Sequence, residues 1–121
     1  MKIKFKAITT DGKWVDGFLL PNNIVRQTRK NKDADGRDYD EVISDYKIIP
    51  ETVCFGVEYD GKWYYENDVV LNLNGSQEII KFCKFAFLTV DPNHPDLEML
   101  FAPYLFNYEV IGNVHDKHLK G

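Results

Sequence analysis

The tetrapeptide Asp-Gly-Lys-Trp occurs twice in this chain, at residues 11–14 and 60–63, and each copy sits between two runs rich in strand-forming side chains. Asp-Gly tolerates the positive φ of a tight reversal, so each copy is expected to close a β-hairpin. On one side of the first copy, Ile3, Phe5 and Ala7 alternate with Lys2, Lys4 and Lys6. That period of two marks a half-buried strand with a basic outer face. On the other side KWVDGFLL resumes, and the second copy repeats the arrangement between VCFGVEY and KWYYENDVVLNL. The residues flanking the two copies do not match, so the repetition is one of turn chemistry and not of a duplicated binding element.

Further along, Gln27 to Glu41 is strongly polar and carries both charge signs, as an exposed loop or a hairpin tip does. The segment that follows fits two periods. Tyr39, Val42, Ile43 and Tyr46 suit a helix, whereas Val42, Ser44, Tyr46 and Ile48 alternate. Ile49-Pro50 biases the end toward extended backbone and favours the strand. Glu66-Asn67-Asp68 is expected to turn the chain, with its carboxylates accepting from unpaired backbone N–H groups. After the Asn74-Gly75-Ser76 turn, EIIKFCKFAFLTV suggests one long central strand buried on both faces. In DPNHPDLEMLFAP, Pro95 suits a first helical turn, Asp96 and Glu98 suit the positive end of the helix dipole, and Pro103 stops the run. One short helix is expected there. The fold class is therefore mainly β, hairpin-rich, with that helix and a partly open, barrel-like sheet.

A length of 121 residues suits one domain, 1–121, able to bury a core without staples. No apolar run reaches the roughly 20 residues of a membrane span, and MKIKFKA has no apolar segment after its lysines, so a cytoplasmic address is expected and no membrane partner. Cys54 and Cys83 form no C-x-x-C pair, and His115 and His118 lack spaced cysteines, so neither metal nor disulfide is expected to support the fold. The net charge of −4 is uneven: residues 1–49 hold ten Lys/Arg against eight Asp/Glu, and residues 50–121 hold five against eleven. A negative total argues against duplex binding without removing a local basic patch.

Three separated stretches together resemble the YopX-like family of small phage and prophage proteins. They are the opening Ile3-Lys4-Phe5-Lys6-Ala7; a middle block of Pro50-Glu51-Thr52-Val53, Gly61-Lys62 and Tyr65-Glu66-Asn67-Asp68-Val69-Val70; and the closing Tyr108-Glu109-Val110-Ile111-Gly112-Asn113-Val114. The middle block is similar to a PETV, GK and YEGD-plus-aliphatics pattern, with Asn67 in place of a glycine. The resemblance implies a β-rich, partly barrel-like domain encoded by a phage or prophage and working in the cytoplasm of the bacterial host. It supplies no catalytic residues and no cofactor.

No nucleophile, base and orienting group assemble from the residues that stand out, and neither a P-loop nor a G-x-G-x-x-G is present. His94 follows Asn93 without a nucleophile pattern around it. An enzyme is not expected. The leading reading is a module that binds a host or phage protein, anchored by Trp14, Trp63, Tyr64 and Tyr65 near the hairpin tips, because large rigid rings contribute most at interface centres. An edge strand could equally be extended by a second copy of the chain. The alternative is nucleic-acid binding through Lys2, Lys4, Lys6, Arg26, Arg29, Lys30, Lys32 and Arg37. A third reading, mimicry of DNA by the acidic half, ranks below both.

Overall fold

The computed structural model describes residues 3–72, 74–83, 86–103 and 108–121. Among them the alternation seen in the sequence becomes strand almost throughout: β1 Ile3–Ile8, β2 Trp14–Leu20, β3 Ile24–Lys32, β4 Asp38–Lys47, β5 Cys54–Tyr59, β6 Lys62–Tyr65, β7 Asp68–Leu71, β8 Gln77–Cys83, β9 Ala86–Asp91, β10 His94–Leu100 and β11 Glu109–Asn113. Two single 3₁₀ turns, Pro50–Thr52 and Val114–His118, complete the set. The protein is mainly β, as expected, and no helix among the described residues is long and apolar enough to cross a membrane. The chain separates into two compact units, one of Lys4–Val53 with His118–Gly121 and the other built mainly from Cys54–Lys117.

In the first unit the strands form an antiparallel meander in the order β4-β3-β2-β1. Its register pairs Ala7 with Val15, Leu19 with Val25 and Val25 with Tyr46. Side chains directly opposite one another share a face. Ala7, Val25 and Ile48 are buried there, with Val15, Tyr46 and Val53 packed against them. The ends of the meander approach each other. Thr9 bridges Ile48, Ile49 N donates to Ile8 O (2.8 Å), and Thr10 N donates to Lys47 O (3.0 Å). This gives a partly curled sheet and not a closed barrel. Thr52, fully buried in the PETV segment, clamps the same corner: its Oγ1 accepts from Ile8 N (2.8 Å) and donates to Ile49 O (2.6 Å).

The second unit contains the β5–β6 hairpin and a five-stranded antiparallel sheet in the order β10-β9-β8-β7-β11. Tyr64, Val70, Ile80, Phe101 and Tyr108 form its core, with Phe87 and Val110 against them. Phe101 meets Tyr64 edge-on at 5.0 Å and lies 4.9 Å from Tyr108, spacings at which the ring quadrupoles attract.

The two copies of DGKW both turn the chain, but differently. In the second, Tyr59 pairs with Lys62, and both Asp60 (φ 52°) and Gly61 (φ 79°) are left-handed, the two-residue reversal whose twist matches the strands. In the first, only Gly12 (φ 89°) is left-handed. Gly12 N donates to Thr9 O (2.9 Å), and the Thr9 hydroxyl accepts from Lys13 N (3.0 Å), giving a three-residue loop. The same construction recurs at Asp33–Arg37 and Asn72–Ser76, where Gly36 (φ 77°) and Gly75 (φ 78°) take the left-handed place and Asp33 Oδ1 and Asn72 Oδ1 accept from the fifth residue. A Thr, Asp or Asn two positions before the Asp/Asn-Gly pair selects this loop. Glu58 stands at that position in the odd case.

Three expectations are settled at this level. Residues 38–47 are strand, as the alternation favoured. The run expected to be one central strand is the hairpin β8–β9, with Cys83 opposite Ala86; two residues without a Gly, Asn, Asp or Pro signal separate the strands. The helix expected over DPNHPDLEMLFAP is strand β10, paired to β9 through Glu98–Val90, Met99–Thr89 and Leu100–Leu88. Seven residues between two prolines cannot repay helix nucleation, whereas the open edge of β9 supplies a backbone partner at once. The register slips between His94 and Glu98, which leaves Pro95, lacking an N–H, outside the regular ladder.

Candidate functional site

The four aromatic candidates separate. Tyr64 and Tyr65 are 4% and 6% exposed, so both faces of β6 are covered and neither ring offers contact area, contrary to their selection as anchors. Tyr65 crosses from Gly56 and lies over it; a Cβ on Gly56 would come within 2.4 Å of the ring. Trp63 stacks on Tyr65 at 6.1 Å and is half-buried. Trp14, also half-buried, lies beneath the Lys6 ammonium at 4.5 Å.

The basic candidates meet acids. Lys2 lies outside the described residues. Lys4 pairs with Asp16 (3.3 Å), Arg26 with Asp45 through two N–H groups (2.8 and 3.0 Å), Arg29 with Glu41 (2.7 Å), Lys30 with Asp40 (2.9 Å) and Lys32 with Asp38 (3.1 Å). The last four are cross-strand partners in the β3–β4 register. Arg37 lies in the turn, its backbone N–H bound to Asp33. Residues 24–47 hold six basic and six acidic side chains, so this ribbon presents an ion-pair ladder in place of a cationic stripe. With the register known, the pairing is a mirror about Asp35, interrupted by one residue where the register slips between Gln27 and Thr28.

The ladder's hydrogen bonds, reinforced by the charges themselves, hold the Glu41 and Asp45 carboxyls below their ordinary values and raise Arg26, Arg29 and Lys30. A depressed carboxyl contributes stability that is present above its unfolded value and lost as pH falls through its folded one. Ribbon amide protection at pH 7 is therefore expected to exceed that at pH 3. It should also fall in 0.5 M NaCl, modestly because these pairs are exposed, as hydrogen exchange of residues 27–43 would measure.

With the charges tied laterally, the apolar side chains of β4 stand out. Tyr39, Val42 and Ile43 are 44%, 51% and 54% exposed on a strand that ends the sheet order and pairs with β3.

The second unit contains a polar junction that draws together segments singled out separately in the sequence. Asp68 is buried; its Oδ2 accepts from Tyr65 N (2.9 Å) and its Oδ1 from Asn113 Nδ2 (2.9 Å). Asn113 Nδ2 also reaches Glu66 O (3.2 Å), while Asn113 Oδ1 accepts from His115 N (2.9 Å). Glu66 Oε1 accepts from Phe55 N (2.8 Å), the capping role expected of this turn. Asn67 (φ 65°) places its amide 3.3 Å from His115 Nε2 and receives Lys81 Nζ at Oδ1 (2.9 Å). Buried Cys54 Sγ has the amides of Asn67 and Asn113 at 4.0 and 3.9 Å. Asn67 thus contacts both the thiol and the imidazole. The junction satisfies backbone donors where β5, β6, β7 and β11 meet, which is a structural role.

On the same unit a groove of about 290 Å³ is lined by Asn72, Asn74, Glu78, Thr89, Met99, Leu100 and Tyr108. An adjoining recess of about 190 Å³ shares Asn72, Glu78 and Met99 and adds Ser76, Asp91 and His94. The β8–β9 register sets Thr89 opposite Ile80, and Asn72 Nδ2 donates to Glu78 Oε1 (2.8 Å). Burial raises the Tyr108 phenol, the Ala102 amide pulls it down, the Glu78 charge raises it and the nearby Thr89 hydroxyl lowers it. Thr89 Oγ1 is close enough to act on that phenol, but forms no hydrogen bond of good geometry among the described residues. Glu78 and Thr89 carried no distinguishing signal in a run that reads as uniformly apolar strand.

Comparisons with protein-family models, curated proteins and solved structures found no match.

Proposed function

We propose that this protein is a small phage or prophage accessory module of the YopX-like kind that works by binding a host or phage protein in the bacterial cytoplasm, without catalysis. The observation that carries the reading is edge strand β4. It keeps one row of backbone groups outside the β3 ladder and displays Tyr39, Val42 and Ile43 to solvent, a combination suited to a partner that adds a strand and packs side chains on it. Trp14 and Trp63 are secondary anchors. The family assignment is supported by the order of its three segments and by Asn67, whose left-handed backbone explains why a glycine is acceptable there. The ion-pair ladder weighs against nucleic acid, since the cations that would replace counterions already have acids beside them.

A pull-down from host lysate with tagged protein should recover a stoichiometric polypeptide. Its capture should persist in 0.5 M NaCl and fall at least tenfold with Ile43→Lys, while the melting temperature stays within about 2 °C, as for exposed substitutions. A salt-titrated assay with single- and double-stranded DNA and RNA is the counter-test. Sub-micromolar binding at physiological salt, abolished by reversing Lys4 and Lys6, would replace this reading with the nucleic-acid one.

A further inference from the structure

The groove beside β9 and β10 has an asymmetric chemistry. At one end Met99, Leu100 and the Tyr108 ring form an apolar cleft; at the other Glu78 and Asp91 bring two carboxylates, with His94 next to them. No Lys or Arg is found among the described residues lining either recess. Thr89 lines the groove at 1% exposure, its hydroxyl beneath the surface beside the Tyr108 phenol, so the carboxylates are the charged groups the groove presents.

We infer that this groove is a binding site for a small organic cation with an apolar body, an aryl- or alkylammonium. The body fills the cleft at Met99, Leu100 and Tyr108, and the ammonium points toward the Glu78 carboxylate. The charge of the lining disfavours an anion. A bare divalent cation is disfavoured because Asn72 already engages Glu78, and no cluster of three ligating His, Cys, Asp or Glu side chains exists among the described residues. The volume of about 290 Å³ lies at the small end of ligand sites and accommodates a molecule of roughly ten heavy atoms.

The test is an NMR titration of ¹⁵N-labelled protein with phenethylammonium, its neutral isostere 2-phenylethanol and the anion 3-phenylpropanoate. Phenethylammonium is expected to give saturable shifts at the amides of Thr89, Met99 and Tyr108, with Kd on the order of 1 mM as a ligand this small allows. The anion should bind at least tenfold more weakly and the alcohol in between. Glu78→Gln preserves an acceptor for Asn72 and should weaken the cation at least fivefold. Absent saturable shifts, an anion as tight as the cation, or an unchanged Kd in folded Glu78→Gln would overturn the assignment. The wild-type ranking of the three probes decides the matter even where a variant fails to fold.

Discussion

Gly17→Ala is expected to destabilise the protein by about 3 kcal/mol or more, lowering the melting temperature by roughly 10 °C or beyond. Gly17 lies within β2 opposite Phe5, at φ 154°. A Cβ built there would come 2.1 Å from the Arg26 carbonyl oxygen and 2.9 Å from its carbon. Both are backbone atoms of the neighbouring strand, so no rotamer change relieves the contact; β2 and β3 must part where Phe18 pairs with Arg26. Gly36 and Gly61 are the controls. Both are left-handed, but an added Cβ meets nothing within 4 Å, so alanine there should cost only about 1 kcal/mol. Thermal melts of the three variants by far-ultraviolet circular dichroism test the ordering, and a fall under 2 °C for Gly17→Ala would refute the close approach.

The polar junction gives the second large effect. Asn113→Ala removes the amide that donates to Asp68 Oδ1 and to Glu66 O, together with the oxygen that accepts from His115 N. A buried carboxylate that loses a donor costs about 2–4 kcal/mol. Asn113→Asp is a sharper probe because it faces Asp68 with a second carboxylate. Like charges oppose joint ionisation, so this variant should be weakest at pH 7 and recover toward pH 5 as one group takes up a proton. Exchanging the pair, Asp68→Asn with Asn113→Asp, restores one donor and one acceptor and should recover more than half of the loss. Urea denaturation at the two pH values measures all three. A cost under 0.5 kcal/mol for Asn113→Ala would show that the junction contributes nothing to stability.

Several features were legible before any coordinates because they depend on neighbours in the chain. Alternation put Lys4 and Lys6 on the face opposite Ala7, and Asp-Gly reversed the chain at both DGKW copies. The choice between the two kinds of reversal is local as well, although the two DGKW copies read alike in the sequence: Thr9, Asp33 and Asn72 carry a side-chain oxygen that Glu58 cannot place in the same way. The capping of Tyr65 N by Asp68, three residues on, belongs to the same class.

What depended on distant residues was not legible. The helical signals of residues 92–103 are real, yet β9 offered an unpaired edge, and a backbone ladder outweighed two turns of helix. Tyr64 and Tyr65 alternate like any strand pair, and only packing on both sides of β6 buries the two together. The cations of β3 looked like a nucleic-acid surface until the register set acids beside them. The groove exists because β7, β8, β9 and β10 bring Asn72, Glu78, Thr89 and Met99 to one place from 28 positions of chain. The sequence alone determined where the chain turns and which segments favour strand, because those are contests among a few adjacent backbone groups. Strand partners, the burial of particular rings and the composition of the groove were decided by tertiary structure, because each depends on which surfaces meet after the turns have formed.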